Sequence, residues 1–225
     1  MYRFIFAGVA ASILSACGGG GGGSADVPAA AAATFNMDAA IASVLGAGFS
    51  ASNLRASDAA GNNYVLSYAY SPAADGNFLG KTYKQAIQTT TVSRNGGAAA
   101  AASGTVFYTT NPTRLVSTIN SQGYVSIHEP KTNLPTAGTV GQSGVYSSGN
   151  TYVSTSINVV LSTNTVVWSL ESDTAATAFA CMTTTTNLSV GGSTLQKECY
   201  RISPAGQVSG AKITTVASGV TLAFQ

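Results

Sequence analysis

Alternation with a period of two runs from Phe49 to the C-terminus, and it limits the possible fold more than any other feature of this sequence. From Tyr64 to Tyr70, bulky side chains occupy every second position and smaller ones lie between them. Such a pattern is typical of half-buried β-strands. Turn signals separate the alternating segments, and Asn95-Gly96 among them favours a type I′ hairpin. The sequence therefore predicts an all-β domain.

About ten strands can be placed in this way, and their order favours an antiparallel barrel. Because the connections are sequential hairpins and the strands are fairly long, an up-and-down barrel is preferred, and a sandwich is the alternative. Thr163-Asn164 is predicted to join two strands, and the longest irregular stretch is expected at 131–144. The predicted strands are 64–70, 83–94, 98–110, 115–119, 124–129, 152–162, 165–170, 178–186, 195–202, 208–215 and 220–224.

One short helix is predicted before the strands, from Asn36 to Gly46. Asn36 can cap it, Asp38 is favourable in its first turn and Gly46 can end it. Its apolar residues share one face, which predicts a helix that plugs one end of the β structure. A partner-binding or membrane-surface helix is the alternative, but the basic face that it would need is missing. The apolar residues are Met37, Ile41, Val44 and Leu45.

Charged residues make up only 8% of the chain, against about 25% in an ordinary soluble domain. The polar surface must come largely from 27 serines and 27 threonines, which suits a neutral and exposed extracytoplasmic domain. The formal net charge is +2, so there is no electrostatic case for nucleic acid as a partner. Residues 85–91 offer no apolar row that could face lipid, so a membrane-spanning barrel is not favoured.

His128 is the single histidine and the one place where an imidazole could take part in catalysis. A serine hydrolase would need it beside a serine and an acid. Ser143 lies in a stretch that resembles half of a nucleophile elbow, but Val145 stands where the last glycine belongs. We therefore expect His128 at a strand end facing solvent and predict no catalytic residue. A His128-dependent hydrolase is the weakest alternative.

Other side chains with chemical potential have simpler explanations. Glu171 and Asp173 could form the acid pair of a glycosidase, but Asp173 is better placed to start a turn or a short helix. The segment 75–77 could suggest a calcium loop, but it reads better as a turn. Tyr64, Tyr68 and Tyr70 share a parity and could line a cavity, although a core role is favoured. No metal site and no cofactor are predicted.

Leu14-Ser15-Ala16-Cys17 ends an apolar segment that is too short to span a membrane. This arrangement resembles the lipobox of bacterial lipoproteins. The resemblance implies that residues 1–16 are a signal peptide, that a diacylglyceryl group modifies the Cys17 thiol and that palmitate or a similar chain modifies its amino group. Membrane lipid would then hold the protein, since each buried CH₂ contributes about 0.8 kcal/mol and two chains suffice.

Six glycines follow Cys17, and residues 17–34 are predicted to form a flexible tether before a single β domain at 35–225. Because Gly18 rather than aspartate follows the cysteine, the same resemblance implies the outer membrane of a Gram-negative cell envelope, with the domain facing the periplasm or the medium. The first 24 residues are also similar to certain neisserial surface lipoproteins, and this similarity carries over the anchor alone.

The chain has three cysteines, an odd number for an exported protein. With Cys17 assigned to lipid by the resemblance, Cys181 and Cys199 remain as a pair, which predicts a disulfide in an oxidising compartment. If they bridge directly opposite positions of one hairpin, its loop must be centred on Val190. A loop of roughly 187–193 is therefore expected in place of a two-residue turn.

Several blocks in the second half of the domain resemble uncharacterised proteobacterial lipoproteins, a resemblance that implies no activity. The sequence thus predicts a non-enzymatic outer-membrane lipoprotein that is structural or contacts another envelope protein. A lipocalin-like binder of a small apolar ligand is the alternative, and an open pocket lined by tyrosines with few charges would favour it. The blocks are Leu134-Pro135, Val140-Gly141, Ser143-Gly144, Trp168, residues 171–178, Tyr200-Arg201-Ile202 and Gly206.

Overall fold

A computed structural model describes residues 33–225 of the chain. The predicted signal peptide, the lipid attachment at Cys17 and nearly all of the predicted tether lie outside the described residues and stay predictions. Within 33–225 the structure has one α-helix, α1 (Met37–Gly46), and fourteen β-strands. The strands are β1 (Thr34–Phe35), β2 (Phe49–Ser57), β3 (Asn63–Phe78), β4 (Lys81–Arg94), β5 (Ala100–Thr109), β6 (Arg114–Asn120), β7 (Val125–Pro130), β8 (Gly138–Thr139), β9 (Ser143–Tyr152), β10 (Val160–Ser172), β11 (Ala178–Leu188), β12 (Ser193–Ile202), β13 (Val208–Ala217) and β14 (Val220–Phe224).

Twelve of the strands form one antiparallel sheet in which every neighbour in sequence, apart from β8, is also a neighbour in space. The sheet runs from β2 to β14, and the backbones of Arg55 and Gln225 exchange hydrogen bonds of 3.1 and 3.3 Å across its two edges. The sheet therefore curls into a nearly closed up-and-down barrel. The all-β barrel prediction is confirmed, with twelve barrel strands in the described range instead of about ten.

Hairpins of a meander place their turns alternately at the two ends of the barrel, which we call the base and the mouth. The base holds the turns after β3, β5, β10 and β12 together with the segment 131–142. The mouth holds the turns after β2, β4, β6, β9, β11 and β13. The predicted hairpin at Asn95-Gly96 lies at the mouth, and both residues have the positive φ of a type I′ turn, 52° and 73°.

Helix α1 enters the barrel at the base and begins as predicted. The Asn36 side chain accepts a hydrogen bond of 2.9 Å from the backbone N–H of Ala39, and the helix ends with Ala47 as its cap. Three further contacts fix α1 at the base: Asn36 N–H donates to Pro204 O, Met37 N–H to Pro135 O, and the Asp38 carboxylate accepts from Thr113 N–H. No helix of the described chain has the length and apolarity needed to cross a membrane.

The main apolar core lies at the base, around the helix. Met37, Val44 and Leu45 of α1 pack against side chains of the barrel wall. The wall residues of this cluster include Tyr146, Leu170, Tyr200 and Ile202, all 2% exposed or less. The predicted plug is therefore present, and it seals one end of the barrel rather than filling the whole interior.

Two predictions about the middle of the chain are wrong. The strand predicted at 152–162 is largely the connection between β9 (Ser143–Tyr152) and β10 (Val160–Ser172). The turn predicted at Thr163 and Asn164 is absent, because β10 runs through both residues without a break. Asn164 faces inward, and its side chain bonds to Thr151 at 2.7 Å and to Thr186 at 2.8 Å. Asparagine is common in turns because its side chain bonds nearby backbone, but here neighbouring strands supply the partners.

The predicted turn at 75–77 is also wrong, because β3 continues to Phe78 with an irregularity in its pairing between Ala73 and Gly76. Asp173 begins a turn, which is one of the two structures expected there, and its carboxylate bonds to the Thr177 hydroxyl at 2.6 Å and to Arg201 at 2.7 Å.

The predicted disulfide is present on the outer wall of the barrel. Cys181 and Cys199 lie directly opposite each other in the β11–β12 pair, with Cα atoms 4.0 Å apart. The last paired residues before the turn are Asn187 and Ser193, so the hairpin is centred on Val190 as expected. Because side chains alternate along a strand, the residues next to each cysteine point into the barrel.

Candidate functional site

A cavity of about 410 Å³ occupies the barrel interior between α1 and the mouth. Its floor is apolar, because Ile41, Val44 and Leu45 of the helix meet Val106 and Leu115 of the wall there. The other lining side chains come from eight strands and, apart from Val166 and Met182, are polar or aromatic. They are Tyr70, Gln88, Thr118, Asn120, Ser126, His128, Tyr146, Thr151, Ser162, Asn164, Val166, Met182, Thr184, Thr186, Thr194, Gln196, Glu198 and Tyr200.

One wall of the cavity carries a continuous chain of hydrogen bonds across β7, β9, β10 and β11. Ser126 and Thr151 share a hydrogen bond of 2.7 Å between their hydroxyls. Asn164 donates to the Thr151 hydroxyl and accepts from the Thr186 hydroxyl. These four side chains, which we call the polar belt, satisfy one another, and the wall stays polar without carrying charge.

The cavity communicates with solvent through the mouth. A second cavity of about 340 Å³ shares seven lining residues with the first, among them Thr118, Asn120 and Gln196. It extends to Ser103 and Tyr124, which are exposed beside the mouth turns. A small molecule can therefore reach the apolar floor only by passing the polar residues of the mouth.

Glu198 lies on β12, the strand next to the polar belt, and is surrounded by donors. Its Oε2 accepts from Tyr68 at 2.5 Å, from Tyr200 at 3.0 Å and from Tyr70 at 3.5 Å. Its Oε1 accepts from the Gln196 amide at 2.6 Å. We call these five residues the Glu198 cluster. β12 supplies three of the five, because Gln196, Glu198 and Tyr200 are alternate residues on its inward face, and β3 supplies Tyr68 and Tyr70 in the same way.

Burial raises the pKa of the Glu198 carboxyl, and the hydrogen bonds from Tyr68, Tyr200 and Gln196 oppose that effect. Burial also raises the pKa of Tyr68, Tyr70 and Tyr200 well above the ordinary tyrosine value. The three phenols therefore stay protonated and act as donors near neutral pH. The cluster is a carboxylate held among neutral donors.

His128 also lines the cavity, so the expectation that it faces solvent is wrong. Its Nδ1 lies 3.5 Å from the Ser147 hydroxyl, and its Nε2 is buried with no hydrogen-bond partner among the described residues. Burial lowers the pKa of His128 to about 4. The imidazole is therefore neutral at physiological pH and a weak base.

The candidate catalytic residues do not come together in the described fold. Ser143 begins β9 on the exposed side, and the serine near His128 is Ser147. Glu171 pairs with Lys197 at 2.5 Å on the outer wall, and Asp173 bonds to Arg201 there. Neither acid lines the cavity, so the arrangement provides neither a hydrolase triad nor a glycosidase acid pair inside the barrel.

One group of metal-ligating residue types is close enough to share an ion within residues 33–225. It consists of Glu171, Cys181 and Cys199, whose ligand atoms lie within 4.8 Å of one another. The two sulfurs are bonded to each other in the disulfide and offer no thiolate. This group therefore provides no ordinary metal site.

Sequence reasoning identified the tyrosines of β3 but missed their partner. Tyr70 lines the cavity, Tyr68 is buried against Glu198, and Tyr64 bonds to Asp58 near the mouth. Glu198 could have been found from its spacing, because it shares a parity with the core residues Tyr200 and Ile202 and is the acidic residue of that face. No protein-family model, curated protein or solved structure matches the chain. The functional argument therefore rests on the geometry of the cavity.

Proposed function

We propose that this protein is a non-enzymatic binding module that holds a small, partly apolar molecule inside its barrel. The observation that carries the proposal is the cavity of about 410 Å³, which lies within the size range of small-molecule sites. Its apolar floor against α1 suits the apolar part of a ligand, and the polar belt near the mouth suits a polar group. Small barrels that are not filled by their own side chains hold one small ligand in this way.

Native mass spectrometry of the full-length protein, extracted from the cell envelope in a mild detergent, tests this proposal. We expect a stoichiometric additional mass that collisional activation removes. Thr184→Trp should abolish it, because Thr184 faces the cavity and a tryptophan there would fill it. Thr183→Trp is the matched control, since Thr183 is the neighbour of Thr184 on the same strand and its side chain points outward. Loss of the extra mass in both variants, or its absence from the wild type, would contradict the proposal.

We also propose that the module is held in the outer membrane by lipid on Cys17, as the lipobox resemblance implies. Mass spectrometry of the N-terminal peptide should find a diacylglyceryl-modified and N-acylated cysteine. Cys17→Ser should leave the chain unlipidated and should free it from the membrane fraction. An unmodified Cys17 in the mature wild-type protein would overturn this part of the proposal.

Contact with another envelope protein is the second candidate function, and a cluster of exposed apolar side chains at the mouth supports it. Ile157 and Val159 lie in the turn after β9, and Val190 is 92% exposed at the tip of the β11–β12 hairpin. The two turns are neighbours, because Ser189 N–H donates to Leu161 O at 2.9 Å. A photo-cross-linking residue at position 190 should capture a partner in intact cells. The same residue at Leu79, an exposed position at the base, is the control.

A further inference from the structure

Within residues 33–225, the Glu198 carboxylate has no counter-charge inside the barrel. Among the described residues no lysine or arginine lines the cavity, and His128 is neutral there. The nearest basic residues along the wall point outward: Lys197 pairs with Glu171, and Lys212 lies over the ring of Phe179 at 3.8 Å. Buried charges in proteins are normally paired, so this carboxylate is an exception that asks for an explanation.

The hydrogen bonds around Glu198 are distributed unequally between its two oxygens. Oε2 has three tyrosine hydroxyls within 3.5 Å, and Oε1 has the Gln196 amide alone. A carboxylate oxygen can accept two hydrogen bonds, so Oε1 retains acceptor capacity. Glu198 is partly accessible although it lies deep in the barrel, and its accessible surface faces the cavity. The unused acceptor therefore belongs to an open site.

The tyrosine hydroxyls are held in place by contacts of their own. Gln88 donates to the Tyr68 hydroxyl at 2.9 Å, and the rings of Tyr68 and Tyr70 meet edge to face with centroids 5.4 Å apart. The ring of Tyr200 meets Phe49 in the same manner at 5.3 Å. The carboxylate is consequently fixed by its surroundings, and a ligand group would meet a site that is already formed.

We propose that the ligand of this cavity carries a cationic group, a protonated amine, which the Glu198 carboxylate binds within the ring of Tyr68, Tyr70 and Tyr200. This inference rests on the proposed binding function and specifies the chemical class of the ligand. The amine would donate to Oε1, and its apolar part would lie against the floor formed by α1. Aromatic rings beside an ammonium group add to its attraction for the site.

A pair of probes that differ only in charge tests the inference. They are 2-phenylethylamine, which is protonated at pH 7.5, and 2-phenylethanol, which is neutral. Titration calorimetry with the full-length protein in a non-ionic detergent, corrected by titrations into detergent alone, gives the affinity of each. We expect the amine to bind the wild type at least about 10-fold more tightly than the alcohol.

Glu198→Gln should bring the two affinities together, because the amide carries no charge to attract the ammonium group. Glu171→Gln is the matched control, because this carboxylate lies on the outer wall, and it should keep the amine preference. Equal binding of both probes by the wild type, or a preference that survives in Glu198→Gln, would overturn the inference and leave the binding function standing. If neither probe binds the wild type, the inference fails as well, and the native mass spectrum alone decides the binding function.

A measurement on the wild type covers the case in which Glu198→Gln does not fold. As the pH is lowered, the amine preference should decline, because the Glu198 carboxyl takes up a proton, and burial raises its pKa so that this happens at a higher pH than for an ordinary glutamate. The other titratable groups of the cavity are the three tyrosines, which stay protonated, and His128, whose pKa is lowered to about 4. An amine preference that does not change with pH would contradict the assignment to Glu198.

Discussion

The base and the mouth of this barrel are built from the same strands, yet their interiors differ. At the base, α1 and inward side chains such as Leu170 and Ile202 fill the space, and these residues are almost completely buried. Near the mouth, the same strands turn Thr184, Thr186 and Thr194 inward, and a cavity remains. The difference teaches that apolar packing and free volume are separated along the barrel axis, because buried apolar side chains are concentrated at one end and the cavity lies toward the other.

Two substitutions, one from each region, test this separation, and the one at the base has the largest effect expected here. Leu170→Ala should lower the free energy of unfolding by about 2–5 kcal/mol, because it leaves a void in the packed base. Thr184→Ala should change it by less than about 1 kcal/mol, since this side chain borders the cavity. Urea unfolding followed by circular dichroism measures both values. Equal losses at the two positions would mean that the mouth is packed as tightly as the base.

The disulfide sharpens the comparison, because it joins β11 and β12 on the outer wall and contributes to neither the packed base nor the cavity lining. Replacing Cys181 and Cys199 by alanine should lower the free energy of unfolding by about 3 kcal/mol in the chain-entropy model. Binding by the folded variant should be unchanged, since both sulfurs lie outside the cavity. The urea midpoint and the native mass spectrum provide the two readings. A folded variant that has lost the extra mass would show that the outer wall controls the cavity.

Local rules predicted much of this fold. The cap at Asn36, the turn at Asn95-Gly96 and the hairpin centred on Val190 each depend on residues close in sequence. β9 was missed in part because one of its two neighbours, β7, is separated from it by the irregular segment 131–142. A Cβ at Gly149 would lie 1.8 Å from Ile127 O, so β7 and β9 approach each other through a residue that local propensity assigns to a turn.

The site was harder to predict than the fold, because alternation says which residues share a face but not which face is inside. Charge usually decides this, and the sequence has little of it. Thr183 and Thr184 are chemically identical, yet one points outward and the other lines the cavity. Glu198 broke the usual expectation that a carboxylate faces solvent. The signal in the sequence was its parity with Tyr200 and Ile202, and the pairing of β12 with its neighbours places all three inward.

The smallest effect concerns His128, which lies inside the cavity near the polar belt. Burial lowers the pKa of His128, whereas it raises the pKa of Glu198. For His128 the pKa falls from 6.5 to about 4, so the unfolded chain binds a proton that the folded chain rejects. The stability that this group contributes is present above pH 6.5 and is lost as the pH falls toward 4. A single histidine of this kind removes about 2 kcal/mol between pH 7 and pH 5.

His128→Gln isolates that contribution, because glutamine does not titrate. We expect the free energy of unfolding of the wild type to fall by about 2 kcal/mol more than that of the variant over this interval. Glu198 has the opposite effect, because a raised pKa favours the folded state at lower pH. Its contribution is the same in both proteins, so it cancels when the two free energies of unfolding are subtracted. Urea unfolding at both pH values measures the difference. If the free energies of unfolding of the two proteins changed in parallel with pH, water would have to reach His128. The part of the interior without water would then be confined to the base, which the helix fills.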